Sequence, residues 1–274
     1  MTIEKKLLGT NPVSGEVLPE AVSFDGTNDN LIKSSDLTNN INSKTFTFSA
    51  WFYVTAEDSG KNMYLYDSYY NSGMYVQFDN NRKFQCLGVA QGGTGNGYLS
   101  IESPINVFVA ETWQHIIISV DMANTSNRHV YINDQSISVT WNSYSNAEIG
   151  FAQTVHAIGT NSPTGGAGTR SKSRLANMFL DYTYRDLSVV ANRRLFRDAE
   201  GKPSSTIPSN PIMYLPMKNA ATAGVNSGTG GNFAAVGLLA TAERGPNQDN
   251  CVASVFDGSN DYLFRSSIVG VSST

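Results

Sequence analysis

Thr45-Phe46-Thr47-Phe48-Ser49-Ala50-Trp51-Phe52-Tyr53-Val54 alternates with a period of two. Phe46, Phe48, Ala50, Phe52 and Val54 share one face of an extended chain, and Thr45, Thr47, Ser49, Trp51 and Tyr53 share the other. Each large apolar side chain taken out of water contributes about 1.5–3 kcal/mol, so the first face must lie against another layer. The second face carries hydroxyls and amphipathic rings. A strand covered by helices on both sides would be apolar throughout, so this one predicts a two-sheet sandwich.

Working outward from it, strands are expected over 62–66, 74–79, 83–90, 113–121, 128–133, 136–141, 155–159, 174–184 and 212–215. Asp79-Asn80-Asn81 and Asn133-Asp134 mark hairpins, because these residue types tolerate positive φ. One helix is expected over 189–199, capped by Ser188 and ended by Gly201 and Pro203. Val190, Leu195 and Phe196 would dock it and leave Arg193, Arg194 and Arg197 in solvent. With Arg170, Lys172, Arg174 and Arg185 these form the basic concentration of the chain, read as a solvated face or as a contact for an acidic partner. Residues 219–247 are rich in Ala, Gly, Asn and Thr and include Gly228-Thr229-Gly230-Gly231, which reads as linker.

Composition agrees with an all-β fold and removes several functions. Of 274 residues 15% are charged and 11% aromatic, so the surface is wetted mainly by neutral polar groups. A net charge of -4 gives no global drive toward nucleic acid. No apolar run reaches the roughly 20 residues of a membrane span, and the first residues lack the apolar stretch of a secretory signal. Cys86 and Cys251 have neither zinc nor redox spacing and are expected as free, partly buried thiols.

A repeat is the most specific feature. Residues 21–35 read AVSFDGTNDNLIKSS and residues 253–267 read ASVFDGSNDYLFRSS, which pairs Phe24 with Phe256, Asp25 with Asp257 and Leu31 with Leu263. The expected organisation is an N-terminal arm (1–19), a jelly-roll domain (20–216), a Gly/Ala-rich linker (217–250) and a C-terminal strand (251–274). A solitary strand cannot bury its own face. Phe256, Asp257, Tyr262 and Phe264 are therefore assembly candidates, whether the strand pairs within its own chain, joins a neighbouring subunit or opens a longer array.

The order F-D-G-x-N-D-x-L (24–31), T-F-T-F-S-A-W-F-Y-V (45–54), T-W-Q-H-I-I-I-S-V-D (112–121), H-V-Y-I-N-D-Q (129–135), A-I-G-T (157–160) and L-A-N-M-F-L-D-Y-T-Y-R-D-L-S (175–188) resembles the concanavalin A-like lectin/glucanase superfamily, and within it the laminin-G-like and pentraxin-like jelly rolls. The chain departs from the pattern at Asn133-Asp134, where Asn-Gly is usual, and at Ala176-Asn177, where a Gly is common. Tyr214-Leu215-Pro216, the Gly-rich run and the second F-D-G resemble the variant found in tailed-phage virion proteins.

The resemblance implies antiparallel jelly-roll architecture and sugar binding. Glycoside hydrolysis would need two carboxyls flanking the scissile bond, about 5–5.5 Å apart or 6.5–9.5 Å for inversion, and no Glu-x-Asp-x-x-Glu run supplies them. Neither a nucleophile elbow nor a motif-indicated partner for His115, His129 or His156 is present, so no enzyme is expected. A chain turning near Thr125 sets Asp121 opposite His129 and Ser119 opposite Tyr131. Trp113, His115, Asp121, His129 and Tyr131 then share one sheet face, either a sugar-binding surface or a second, minor core; Trp51 and Tyr53, on the outward face of 45–54, are further ligand-binding candidates. No cofactor is demanded by motif. Calcium is the one the resemblance implies, with Asp25, Asn28, Asp29 and Asn30 as candidates, although the family's F-D-G-x-x-D turn is often purely structural.

The expected role is a non-enzymatic phage virion protein, made in the host cytoplasm, that decorates a capsid or forms a head or tail appendage. Its partners would be copies of itself, other virion proteins and a cell-surface glycan, with no nucleic acid and no membrane insertion. The alternatives are a carbohydrate-binding module of an exported hydrolase or adhesin, and structural cement without a ligand.

Overall fold

The computed structural model describes residues 20–68, 73–93, 97–161 and 172–248. The expected arm (1–19) and the assembly candidates Phe256, Asp257, Tyr262 and Phe264 lie outside the described residues, as do Arg170 and Cys251.

Among the described residues, sixteen strands form two antiparallel sheets. The first contains β1 (Val22–Asp25), β3 (Thr45–Tyr53), β8 (Gln114–Asp121), β9 (Arg128–Ile132), β10 (Gln135–Ser136), β13 (Lys172–Asp181), β14 (Met213–Leu215) and β16 (Ala240–Thr241). Its order is β10-β9-β8-β3-β13-β1-β16, with β14 also paired to β13. The second contains β2 (Asn30–Lys33), β4 (Met63–Asp67), β5 (Met74–Phe78), β6 (Phe84–Gly88), β7 (Leu99–Glu102), β11 (Thr140–Tyr144), β12 (His156–Ile158) and β15 (Ala234–Val236). Its order is β11-β7-β6-β5-β4-β12-β2-β15.

The core lies between the sheets. Phe46, Phe48, Ala50, Phe52 and Val54 meet Leu65, Val76, Phe78, Phe84, Leu99 and Ile101 there, as the alternation at 45–54 requires. Phe52 packs against Phe78 at 4.7 Å and edge-on to Phe108 at 5.4 Å. Cys86 is buried in this core, and burial pushes its thiol pKa far above the ordinary value, which makes it an inert packing group.

Turn chemistry behaves as the residue types dictate. Asn133 and Asp134 have φ of 49° and 67°, a two-residue hairpin turn joining β9 to β10. Asp79 Oδ1 accepts from Asn81 N (2.8 Å) and Lys83 N (2.9 Å), closing the β5–β6 turn.

Four expectations need correction. The strand expected over 136–141 is two: β10 stays on the first sheet, and β11 crosses to pair with β7 on the second. The β8–β9 hairpin is offset by two residues, so Ser119 faces His129 and Ile117 faces Tyr131. Asp121 Oδ1 accepts from Ala123 N (3.0 Å) and its Oδ2 from Asn127 Nδ2 (3.1 Å), which holds a turn centred on Asn124 instead of Thr125.

The helix α1 covers only Val190–Arg194, with Val189 at its N-cap and no side-chain cap. Ser188 donates from its N and Oγ to Asp186 Oδ1 instead (2.9 and 2.6 Å). Val190 is half exposed, and Phe196 is the buried anchor, 4.9 Å from Phe179. The arginines are not solvated: Arg193 and Arg194 both pair with Asp134, and Arg197 lies over Trp51.

The fourth concerns the expected linker, which is packed structure through residue 248. Met217, Ala223 and Phe233 enter the core, β15 pairs with β2, and β16 pairs with β1. The Gly-rich run is there for close approach rather than flexibility. Gly230 N donates to Ile212 O (2.9 Å), and a Cβ at Gly230 would meet that oxygen at 2.6 Å.

Candidate functional site

The sequence-predicted sugar face is assembled as one face but is closed. A two-residue register offset preserves side-chain parity, so Trp51, His115, Ile117, Tyr131 and His129 still point the same way. Residues 183–204, in and around α1, lie over that face. Trp51 is 2% exposed, stacks on His115 at 4.8 Å and carries the Arg197 guanidinium at 5.1 Å. Trp113 and Ala176 complete this small core, and Tyr53 packs at its margin, where its hydroxyl donates to Glu111 Oε2 (2.6 Å). Ile117, Phe179, Leu187 and Phe196 form a second one, with Tyr131 packed against it under Arg193 at 4.7 Å.

His115 is 1% exposed, and its Nε2 lies 2.8 Å from Ser49 Oγ. Burial lowers its pKa to about 3, so the imidazole is neutral. This Ser–His pair is sealed beneath Trp51 and presents no nucleophile to solvent. His129 instead pairs with Tyr184 OH (2.9 Å) near Asp186.

Two of the calcium candidates, Asp25 and Asp29, are bonded to backbone N–H groups, whereas among the described residues Asn30 Oδ1 is buried without a hydrogen-bond partner. Asp25 Oδ1 accepts from Thr27 N (2.7 Å), Asn28 N (3.2 Å) and Asp29 N (3.4 Å). Against the upward push of partial desolvation, these bonds hold the Asp25 carboxyl below its ordinary value. Asp29 accepts from Asp25 N (3.0 Å) and Leu238 N (2.8 Å), using both of its oxygens. Among the described residues, no three His, Cys, Asp or Glu side chains gather as a metal site would. Asp25 and Asp29 act here as caps of the turn's own backbone, the structural role that the resemblance also allows.

The outer face of the second sheet differs in kind. Cross-strand partners Tyr64, Gln77, Gln85, Glu102 and Thr140 lie in one row over β4, β5, β6, β7 and β11. At about 4.8 Å per strand the row is about 19 Å long. Gln77 Nε2 donates to Gln85 Oε1 (2.6 Å), Gln85 Nε2 to Glu102 Oε1 (3.2 Å), and Lys83 Nζ to the same oxygen (2.7 Å). Gln77 Oε1 is buried without a hydrogen-bond partner. The Lys83 and Gln85 bonds hold the Glu102 carboxyl below its ordinary value. At the end of the row a cavity of about 310 Å³ opens between Lys83, Glu102, Pro104, Ile105 and Thr140.

Sequence reading located β5 and β6 but missed this row. Its signal is the polar alternate set Gln77, Gln85 and Glu102, whose alignment depends on three cross-strand registers. Gln77 is itself buried, and the half-buried Gln85, Glu102 and Lys83 offer an amide, a carboxylate and an ammonium as paired donors and acceptors to hydroxyl groups.

Two antiparallel sheets stacked around one core, with a polar outer face on the second, define a lectin-like jelly roll. A family model described as "Concanavalin A-like lectin/glucanases superfamily" matches residues 25–177, and the chain belongs to that superfamily. Among solved structures it is similar to a heptameric SAP-like pentraxin from Limulus polyphemus, with 12% identity and a TM-score of 0.51, covering 80% of this chain and 94% of that one. It is also similar to a provisionally assigned carbohydrate binding protein from Bacteroides ovatus (12% identity, TM-score 0.49, 79% of this chain and 60% of that one). The LG4-5 domains of the mouse laminin alpha1 chain match at 13% identity and a TM-score of 0.41, covering 65% of this chain and 49% of that one. No curated protein matches the chain.

Proposed function

We propose that the protein is a non-catalytic glycan-binding module whose binding surface is the outer face of the second sheet. The observation that carries this is the row Gln77–Gln85–Glu102 with Lys83, a hydrogen-bonded array on a lectin-superfamily sandwich. Its chemistry suits neutral sugars, because the one charge of each sign is already paired. The row contains a single acid, held ionised at neutral pH, whereas glycoside hydrolysis needs a second carboxyl and a proton donor of raised pKa.

A place in a phage particle, as one of several copies, is the finer part of the proposal. It is supported by the resemblance of residues 214–216, the Gly-rich run and the second F-D-G to tailed-phage virion proteins. Glycan-array binding of the full chain, followed by calorimetry, tests the module. Gln85→Ala and Glu102→Gln should each weaken a bound sugar about tenfold, the loss of one or two hydrogen bonds, while thermal stability stays within about 1 kcal/mol. Absence of binding to any sugar, or binding that both variants leave unchanged, would refute it. Native mass and location in a purified particle test the virion placement, and a free monomer absent from particles would overturn that part alone.

A further inference from the structure

The covered face of the first sheet contains a cavity of about 260 Å³ beside the residues that follow α1. Its walls include Trp51, Thr112, Trp113, Gln114, Asn133 and Arg197. Arg185, Arg193 and Arg194 each hold a carboxylate, Asp181 for the first and Asp134 for the other two. Among the described residues Arg197 has none within ion-pair distance, and its guanidinium rests over the Trp51 ring instead. Burial draws its pKa below the ordinary guanidinium value, against the opposing pull of Asp134 and Asp198. Both of those acids are committed elsewhere, since Asp198 Oδ1 accepts from Lys202 N at 2.7 Å.

The remaining polar wall is neutral and internally bonded. Asn133 Nδ2 donates to Gln114 Oε1 (2.6 Å), and Gln114 Nε2 donates to Thr112 Oγ1 (2.5 Å). Among the described residues no acid lines the cavity. A partly desolvated guanidinium lacking an anion is unfavourable, and its planar fork matches a carboxylate with two parallel hydrogen bonds. The volume leaves room for a ring beyond that carboxylate, and the amide and hydroxyl groups suit a hydroxylated one.

We propose that this cavity is a binding site for a small hydroxylated carboxylate, a sugar acid, held by the Arg197 guanidinium beside the Trp51 and Trp113 rings. The site is separate from the neutral-sugar row on the opposite sheet and does not depend on it.

Tryptophan fluorescence tests it, because two of the three tryptophans, Trp51 and Trp113, line the cavity. The full chain is titrated with glucuronate, with glucose, and with a short peptide ending in a free carboxylate. Glucuronate should change the emission saturably, whereas glucose and the peptide should not. Arg197→Gln should weaken glucuronate at least tenfold, Arg197→Lys should restore part of the loss, and Glu102→Gln on the other sheet should leave it unchanged. No saturable response to glucuronate, an equal response to glucose, a response to the peptide alone, or full binding by a folded Arg197→Gln chain would each overturn the proposal. Should Arg197→Gln fail to fold, the lysine variant decides: binding as strong as in the parent chain overturns the fork, and a several-fold loss supports it.

Discussion

The closed outer face of the first sheet can be tested by titrating His115. Burial holds its folded pKa near 3, against about 6.5 for the exposed imidazole. Protons bind the unfolded chain first, so stability is intact above pH 6.5 and falls as the pH drops toward 3. At pH 5 the difference amounts to about 2 kcal/mol, at 1.36 kcal/mol per pH unit over roughly 1.5 units. At about 2.1 cal/mol/K per residue, the 212 described residues contribute an unfolding entropy of about 0.45 kcal/mol/K, so the loss corresponds to about 4–5 °C in Tm.

His129 and His156 also have lowered pKa values, from burial first, so the parent chain alone would mix three titrations. Comparison with His115→Gln isolates one. Thermal and urea unfolding at pH 7.5 and pH 5 should show the parent losing about 2 kcal/mol more than the variant between the two values. The variant itself is less stable at pH 7.5 because it disturbs the stack on Trp51 and the bond to Ser49. A gap between parent and variant that is independent of pH would refute the sealed pair and return Trp51 and His115 to the status of an open face.

Two further substitutions probe how distant segments are held. Asp29→Ala removes the acceptor for Asp25 N and Leu238 N; it should cost about 1–3 kcal/mol and speed amide exchange across residues 234–241 at least tenfold, and unchanged exchange there would contradict the tie of that segment to the first turn. Asp134→Asn keeps a residue that tolerates positive φ but removes the charge shared by Arg193 and Arg194, so urea unfolding should shift by about 1–2 kcal/mol at low salt; no shift would mean that Phe196 alone anchors α1.

Alternation along a strand determines which side chains share a face, and that much was legible in Thr45–Tyr53 and in the hairpin at Asn133-Asp134. It does not determine what covers the face. Thr47, Ser49 and Trp51 look the same in sequence whether they meet water, a sugar or another layer, and the layer here comes from residues more than 130 positions later. The F-D-G turn carries the same lesson. Asp25 and Asp29 read equally as calcium ligands or as caps, and the choice is made by Leu238, whose amide arrives from 209 residues away. The Gln77–Gln85–Glu102 row was hidden for a related reason, since three unremarkable polar residues become an array only when β5, β6 and β7 fall into register. Local pattern thus constrained the sandwich and its core, whereas the candidate site is a property of register and of long-range cover. The two sheets consequently separate the two chemistries, with a paired, neutral array on the second and an unpaired cation beneath the cover of the first. A substitution on either should leave binding at the other unchanged, because the packed core lies between them.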